Sequence, residues 1–214
     1  MQSNDDSQTT SFLLVSRVNY VVGYQALANH GFEKGMKVLV IGASGGCGTA
    51  GVQLAKAMGV SEVVGVSSKK NEEFVKSLGA DRVVDYQTQS IVDGHAKNFD
   101  FVYDTAKPTP GGENYLEAAK RVLKDPTKHH VTLNGTPWIF MSKYLGLPQD
   151  VALVVTDIKT ASLESVLTQS GRSNRRPVID SVFPFTPKGV TDAYTKLESR
   201  RARGKIVVDI AGDA

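Results

Sequence analysis

The segment KVLVIGASGGCGTAGVQLAK, residues 37–56, gathers the residue types with the most readable chemistry in this chain. A short apolar run, Lys37 to Ile41, enters a glycine-rich turn, Gly42 to Gly48, and a run with helical apolar spacing follows, Thr49 to Met58. Glycines let a backbone approach a phosphate closely, and the first turn of a following helix offers unpaired N–H groups and the positive end of its dipole. Against the spacing G-x-G-x-x-G, residues Ala43, Ser44, Gly45, Gly46, Cys47 and Gly48 match with alanine in the first slot. A strand before and a helix after are the context that turns this spacing into a pyrophosphate cradle. A glycine turn that holds no ligand is the plainer alternative.

The same residues also fit G-x-x-x-G-x-G through Gly42, Gly46 and Gly48, the spacing of short-chain dehydrogenases. That chemistry needs a Tyr-x-x-x-Lys pair on one helix. Tyr103 and Lys107 have the spacing, but Tyr103 lies in the strand-like FDFVYD and Pro108 follows Lys107, so the helix is missing. This reading is rejected.

Which dinucleotide the cradle takes depends on the end of the next strand, where an acidic residue selects the unphosphorylated ribose of NAD. Here the strand Glu62–Val66 runs into Ser67, Ser68, Lys69 and Lys70. Hydroxyl and ammonium groups suit a 2′-phosphate, and no carboxylate repels it, which predicts NADPH. The alternative makes Lys69 and Lys70 ordinary surface lysines at the start of a helix.

The elements that must position these groups alternate along the chain. Strands are expected at Lys37–Ile41, Glu62–Val66, Arg82–Asp85, Phe99–Asp104, His130–Leu133 and Val151–Val155. Helices are expected at Val18–Asn29, Thr49–Met58, Lys70–Leu78, Asn114–Lys124 and Leu163–Gln169. Alternation with short connections predicts an α/β protein with a doubly wound parallel sheet, the Rossmann arrangement. The apolar stretch Trp138 to Leu147 is expected to be mostly core, with the cleft or a dimer contact as alternatives. From Arg176 onward, RPVIDSVFPF, a helix near Gly189–Glu198 and GKIVVDI read as material returning to another layer.

Composition excludes several classes. The 214 residues are 41% hydrophobic and 22% charged, enough apolar material for a real core. Cys47 is the single cysteine, so neither an intrachain disulfide nor a cysteine-built zinc site is available, and no metal is expected. A net charge of +3 with no aromatic–basic interleaving argues against nucleic acid. No apolar run reaches the ~18–20 residues of a membrane span. The arginines at 172, 175, 176, 200, 201 and 203 read first as a solvated face, with a docking surface as the alternative. Residues 1–17 read as a loose tail that leaves the compartment open between cytoplasm, mitochondrion and plastid.

With these blocks in hand, the sequence resembles the zinc-independent medium-chain dehydrogenase/reductases, the quinone oxidoreductase-like group. The likeness is carried by GYQAL (23–27), VLVIGASGGCGTAGVQLAK (38–56), FVKSLGADRVVDY (74–86), FDFVYDT (99–105), HVTL (130–133), RPVIDSVFPF (176–185) and RARGKIVVDI (201–210). It is most similar in flavour to the quinone oxidoreductase homologues of chloroplast envelope and mitochondrion. The resemblance implies a Rossmann domain over 18–175 and a segment over 176–214 that completes a GroES-like catalytic domain whose N-terminal part is absent. It also implies pyrophosphate contacts from the backbone of Ser44 to Gly48, and 2′-phosphate contacts from Ser67 with Lys69 or Lys70. Tyr86 would stand at the adenosine phosphate, and Thr105, Leu133 and Asn134 near the nicotinamide ribose.

The implied activity is NADPH-dependent hydride transfer to a quinone or an activated alkene such as an enone, with no residue here assignable as catalytic acid or base. The competing reading is a non-catalytic NADPH-binding module or an accessory subunit of a larger assembly. The resemblance further implies a homodimer through the edge strand Val151–Val155. Cys47 stands where such sequences usually carry an apolar residue; a small buried role is expected for it over a redox-sensing thiol.

Overall fold

A computed structural model describes residues 19–155 and 177–210. The expected helix at Leu163–Gln169, the tail at 1–17 and Arg172, Arg175 and Arg176 lie outside the described residues. The described chain runs α1 (Val21–Ala28), β1 (Lys37–Ile41), α2 (Gly46–Ala57), β2 (Glu62–Ser67), a 3-10 turn (Lys69–Asn71), α3 (Glu72–Ser77) and β3 (Arg82–Asp85). It continues with β4 (Phe101–Asp104), α4 (Tyr115–Val122), β5 (His130–Thr132), α5 (Pro137–Tyr144) and β6 (Ala152–Leu153). After the undescribed stretch come β7 (Ile179–Pro184), α6 (Pro187–Glu198) and β8 (Lys205–Asp209).

β1 to β6 form one sheet in the order β3-β2-β1-β4-β5-β6, with every pairing parallel. The strand residues show why. Successive side chains of a strand face opposite sides, and in β1 both sides are buried: Val38 and Val40 join one apolar cluster, Leu39 and Ile41 the other. β4 divides the same way, with Phe101 and Tyr103 on the first side and Val102 on the second. A strand buried on both faces needs a continuous apolar run, and only helices above and below cover it. α1 and α2 supply the first cover through Leu27, Ala50 and Leu54. α4 supplies the second through Ala118, Ala119 and Val122.

Helix starts follow local chemistry. The side-chain oxygens of Asn114, Thr136 and Thr186 accept from Leu116 N, Ile139 N and Gly189 N, and proline stands in the first turn of α5 and α6.

Three expectations need correction. The helix after the glycine turn begins at Gly46, inside the turn, rather than at Thr49, because glycines there adopt helical geometry without contributing apolar periodicity. The edge strand expected over Val151–Val155 contracts to Ala152–Leu153, since one neighbouring strand, β5, holds it. The stretch Trp138–Leu147 is not core: it carries α5, and Trp138, Phe140, Met141, Tyr144, Leu145 and Leu147 are all exposed. The returning segment makes its own two-stranded parallel sheet, β7–β8, joined through α6.

Candidate cofactor site

The sheet order reverses between β1 and β4, and in open α/β sheets ligands bind at the carboxyl ends of the strands beside such a reversal. Ile41 and Asp104 face each other there in the β1–β4 register. The glycine turn leaves β1 at that point. Gly42 has a positive φ of 79°, and its N–H, with that of Ala43, donates to Val66 O at 3.1 and 3.0 Å. Gly45 N–H donates back to Gly42 O at 3.0 Å. The first amide to bond along α2 is Thr49 N–H, to Gly45 O at 2.8 Å, and Gly45, at the N-cap, offers no side-chain cap. The amides of Gly46, Cys47 and Gly48 therefore precede the helical ladder and point out of its positive end.

This sorts the six residues of the turn. Ser44, Gly46, Cys47 and Gly48 remain available to an anion through the backbone. Ala43 does not: its side chain is wholly buried in the sheet core and its amide is bonded to β2. The Gly45 amide is likewise engaged within the turn. Close approach is required at Gly48, where a Cβ would lie 2.1 Å from Gly42 O. The same spacing, Gly42-Gly46-Gly48, served the rejected Tyr-x-x-x-Lys reading, and Tyr103 is indeed sealed in β4 with its hydroxyl buried.

Cys47 is half-buried, and its Sγ lies 3.5 Å from Asn19 Oδ1 as donor. Burial raises the thiol pKa, against a smaller opposing pull from Lys205. A raised pKa makes a poor nucleophile at neutral pH.

The expected 2′-phosphate residues stand together at the end of β2, with different availabilities. Ser67 and Ser68 are buried, and Ser67 Oγ donates to Ser68 O at 3.3 Å. Lys69 is exposed and forms an ion pair with Glu72 one turn on. Lys70 is exposed. Sequence reasoning missed the carboxylate beneath them. Asp85, at the end of β3 and opposite Ser67, accepts from Lys69 N and Gln87 N through Oδ1, both at 3.2 Å. It organises the turn by its backbone. Tyr86 follows directly, 52% exposed, with its N–H on Ser67 O at 3.3 Å.

At the β4 and β5 ends the side chains act on the protein itself. Thr105 Oγ1 donates to Ile41 O at 2.7 Å, stapling β4 to the root of the glycine turn. Asn134 Nδ2 donates to Ala106 O at 2.9 Å, and Leu133 N to Asp104 O at 3.0 Å. Asp104 is almost fully buried, and its Oδ1 accepts from Ala106 N at 3.0 Å. Burial pushes its pKa up to about 6, although the bonds from Ala106 and Thr132 oppose this.

A further contributor comes from the far end of the chain. Gly204 N–H donates to Ser44 O at 3.1 Å, and Gly204 bridges Gly45 in parallel. β8 thus begins against the glycine turn. Nothing local in the sequence announces this contact.

Among the described residues, no group of three or more His, Cys, Asp or Glu side chains stands close enough to hold a metal ion. Among them too, no helix is long and apolar enough to cross a membrane.

Comparison with known proteins agrees with this architecture. The chain is 33% identical over 186 residues to the 2-methylene-furan-3-one reductase of Solanum lycopersicum, a match covering 86% of this chain and 43% of that one. It is 32% identical to the chloroplastic NADPH-dependent alkenal/one oxidoreductase of Arabidopsis thaliana, again covering 86% of this chain and 43% of that one. The quinone oxidoreductase of Thermus thermophilus, whose structure includes a complex with NADPH, superposes with a TM-score of 0.65 at 28% identity. That superposition covers 90% of this chain and 63% of the other. The chain therefore spans less than half the length of the two curated relatives. A family model described as zinc-binding dehydrogenase matches residues 78–208, more than half of the sequence, and the chain belongs to that family.

Proposed function

We propose that this chain is the cofactor-binding part of an NADPH-dependent oxidoreductase that delivers hydride to a quinone or an activated alkene, in the manner named for its relatives. The observation that carries the reading is the junction of two anion-ready features at one sheet edge. The first-turn amides of α2 stand outside its hydrogen-bond ladder, which suits a pyrophosphate. The end of β2 presents Ser68, Lys69 and Lys70 where an NAD-selecting carboxylate would stand. Gly48 fits this reading, since only without a side chain can the helix start lie against the Gly42 carbonyl of the turn.

In this reading Ser44, Gly46, Cys47 and Gly48 hold the pyrophosphate by their backbone, and Ser67 with Lys69 or Lys70, beside Ser68, holds the 2′-phosphate. Tyr86 flanks the adenosine end. Thr105, Leu133 and Asn134 shape the nicotinamide end by fixing the strand termini. A bound nicotinamide supplies the hydride; the protein supplies position and a cleft poor in water. Residues 18–175 form the dinucleotide-binding domain, and 176–214 belong to the catalytic domain. The exposed apolar residues of α5, beside the edge strand β6, suit a homodimer contact.

Titration with NADPH and NADH tests the reading. Binding with a clear preference for NADPH is expected; equal affinity, or none, removes the 2′-phosphate assignment. Steady-state turnover of a quinone and of an enone with NADPH, measured on this chain, then separates an enzyme from a binding module.

A further inference from the structure

The arginines near the C-terminus read in sequence as a solvated face, and Arg203 is exposed in keeping with that, yet it is also bonded to a distant part of the fold. Its Nε donates to Asn71 Oδ1 at 2.8 Å and its Nη2 to Lys70 O at 3.1 Å. Its guanidinium lies over the ring of Phe74, 5.8 Å from the centroid. Its own N–H is held by Asp180 Oδ1 at 2.9 Å, and Asp180 pairs with Lys196 of α6. Asn71 and Lys70 lie more than a hundred residues from Arg203 in sequence, so these bonds fix one part of the fold to another.

The consequence is local. Asn71 stands at the N-cap of α3, where an asparagine side chain ordinarily accepts from the helix's own first amides. Here it makes no such cap, and its oxygen accepts from Arg203 instead. The 3-10 turn Lys69–Asn71 is therefore clamped from two sides. Asp85 takes Lys69 N–H from β3, and Arg203 takes Lys70 O and Asn71 Oδ1 from the C-terminal segment. The next residue, Gly204, is bonded to Ser44 in the glycine turn. One dipeptide spans the distance between the two phosphate ends of the site.

We propose that Arg203 is a positioning residue for the 2′-phosphate end of the site: it holds the Ser68–Asn71 turn in register with the glycine turn, and selectivity for a 2′-phosphorylated dinucleotide depends on that tie. The inference rests on the NADPH reading above. A planar fork that bonds two acceptors at once is a property of guanidinium that an ammonium does not share.

Calorimetric titration of NADPH and NADH into the wild-type chain and into Arg203→Gln, Arg203→Lys and Asn71→Ala tests it. Arg203→Gln is expected to weaken NADPH about tenfold, in line with loss of charge-assisted bonds, while NADH changes less than about twofold. Arg203→Lys keeps the charge and loses the fork, so it recovers little of the selectivity. Asn71→Ala leaves the guanidinium in place and still lowers selectivity, and its effect is not additive with Arg203→Gln. Unchanged selectivity in Arg203→Gln overturns the proposal, as do equal losses for both cofactors, full recovery by lysine or a silent Asn71→Ala. A wild-type chain without NADPH preference overturns instead the reading beneath it.

Discussion

Gly48 and Gly42 meet backbone to backbone: a methyl group on Gly48 would lie 2.1 Å from the Gly42 carbonyl oxygen and 2.7 Å from its carbon. Helix α2 can start where it does only while that contact is bare. Gly48→Ala is expected to push the helix start away from the turn, lowering stability by ~2 kcal/mol or more and abolishing measurable cofactor binding. Gly45→Ala is the control. Its Cβ meets Gly42 O at 3.4 Å in ordinary extended backbone, so it should fold like the wild type. Thermal melts with and without NADPH separate the two.

Charge reversal at the β2 end addresses cofactor choice. Lys69→Glu with Lys70→Glu should weaken NADPH by about tenfold or more, given two lost cation–phosphate contacts, and NADH far less. Because Lys69 is paired with Glu72, Glu72→Gln should release its ammonium and leave NADPH binding equal or tighter. Equal losses for both cofactors would make the lysines bystanders.

How much of this was legible in the sequence follows from the range of the interactions. β1 was legible because burial on both faces forces an unbroken apolar run, and KVLVI has one. The glycine turn was legible because its demands are backbone demands met by consecutive residues. The start of α2 was misplaced because Gly46, Cys47 and Gly48 carry no apolar period. α5 was missed as a helix although Thr136-Pro137 is a cap followed by a first-turn proline. Its all-round apolar character suggested core, yet Tyr144 is 92% exposed. Asp85, Arg203 and Gly204 had no local signature, because each acts on residues brought close only by folding.

The exposed face of α5 makes a prediction about association. Trp138, Phe140, Met141 and Tyr144 are all exposed on this one helix, and apolar side chains clustered at a surface mark association sites. Tyr144→Glu with Phe140→Glu should shift the chain from dimer to monomer in light scattering without changing its far-UV circular dichroism. A wild-type monomer at micromolar concentration would remove the dimer proposal.

Two buried titratable groups give the fold opposing responses to acid. His130 in β5 is 1% exposed with neither ring nitrogen hydrogen-bonded, and burial, aided by Lys120, lowers its pKa from 6.5 to about 4. A lowered folded-state value means its contribution is fully present above pH 6.5 and is lost as pH falls toward 4, by about 3 kcal/mol in all. Asp104 runs the other way. Its pKa rises from 3.8 to about 6, so the buried carboxylate destabilises the fold above pH 6, and protonation relieves this as pH falls toward 3.8. That effect is also about 3 kcal/mol. Across pH 6.5 to 4 the two largely offset, and each variant should unmask the other. In urea unfolding at pH 7.5, 5.5 and 4.5, Asp104→Asn should gain stability at the highest pH and lose it steeply with acid. His130→Leu should instead be relatively stabilised as pH falls through 6. Parallel pH profiles for both variants would show that neither group titrates with its buried value.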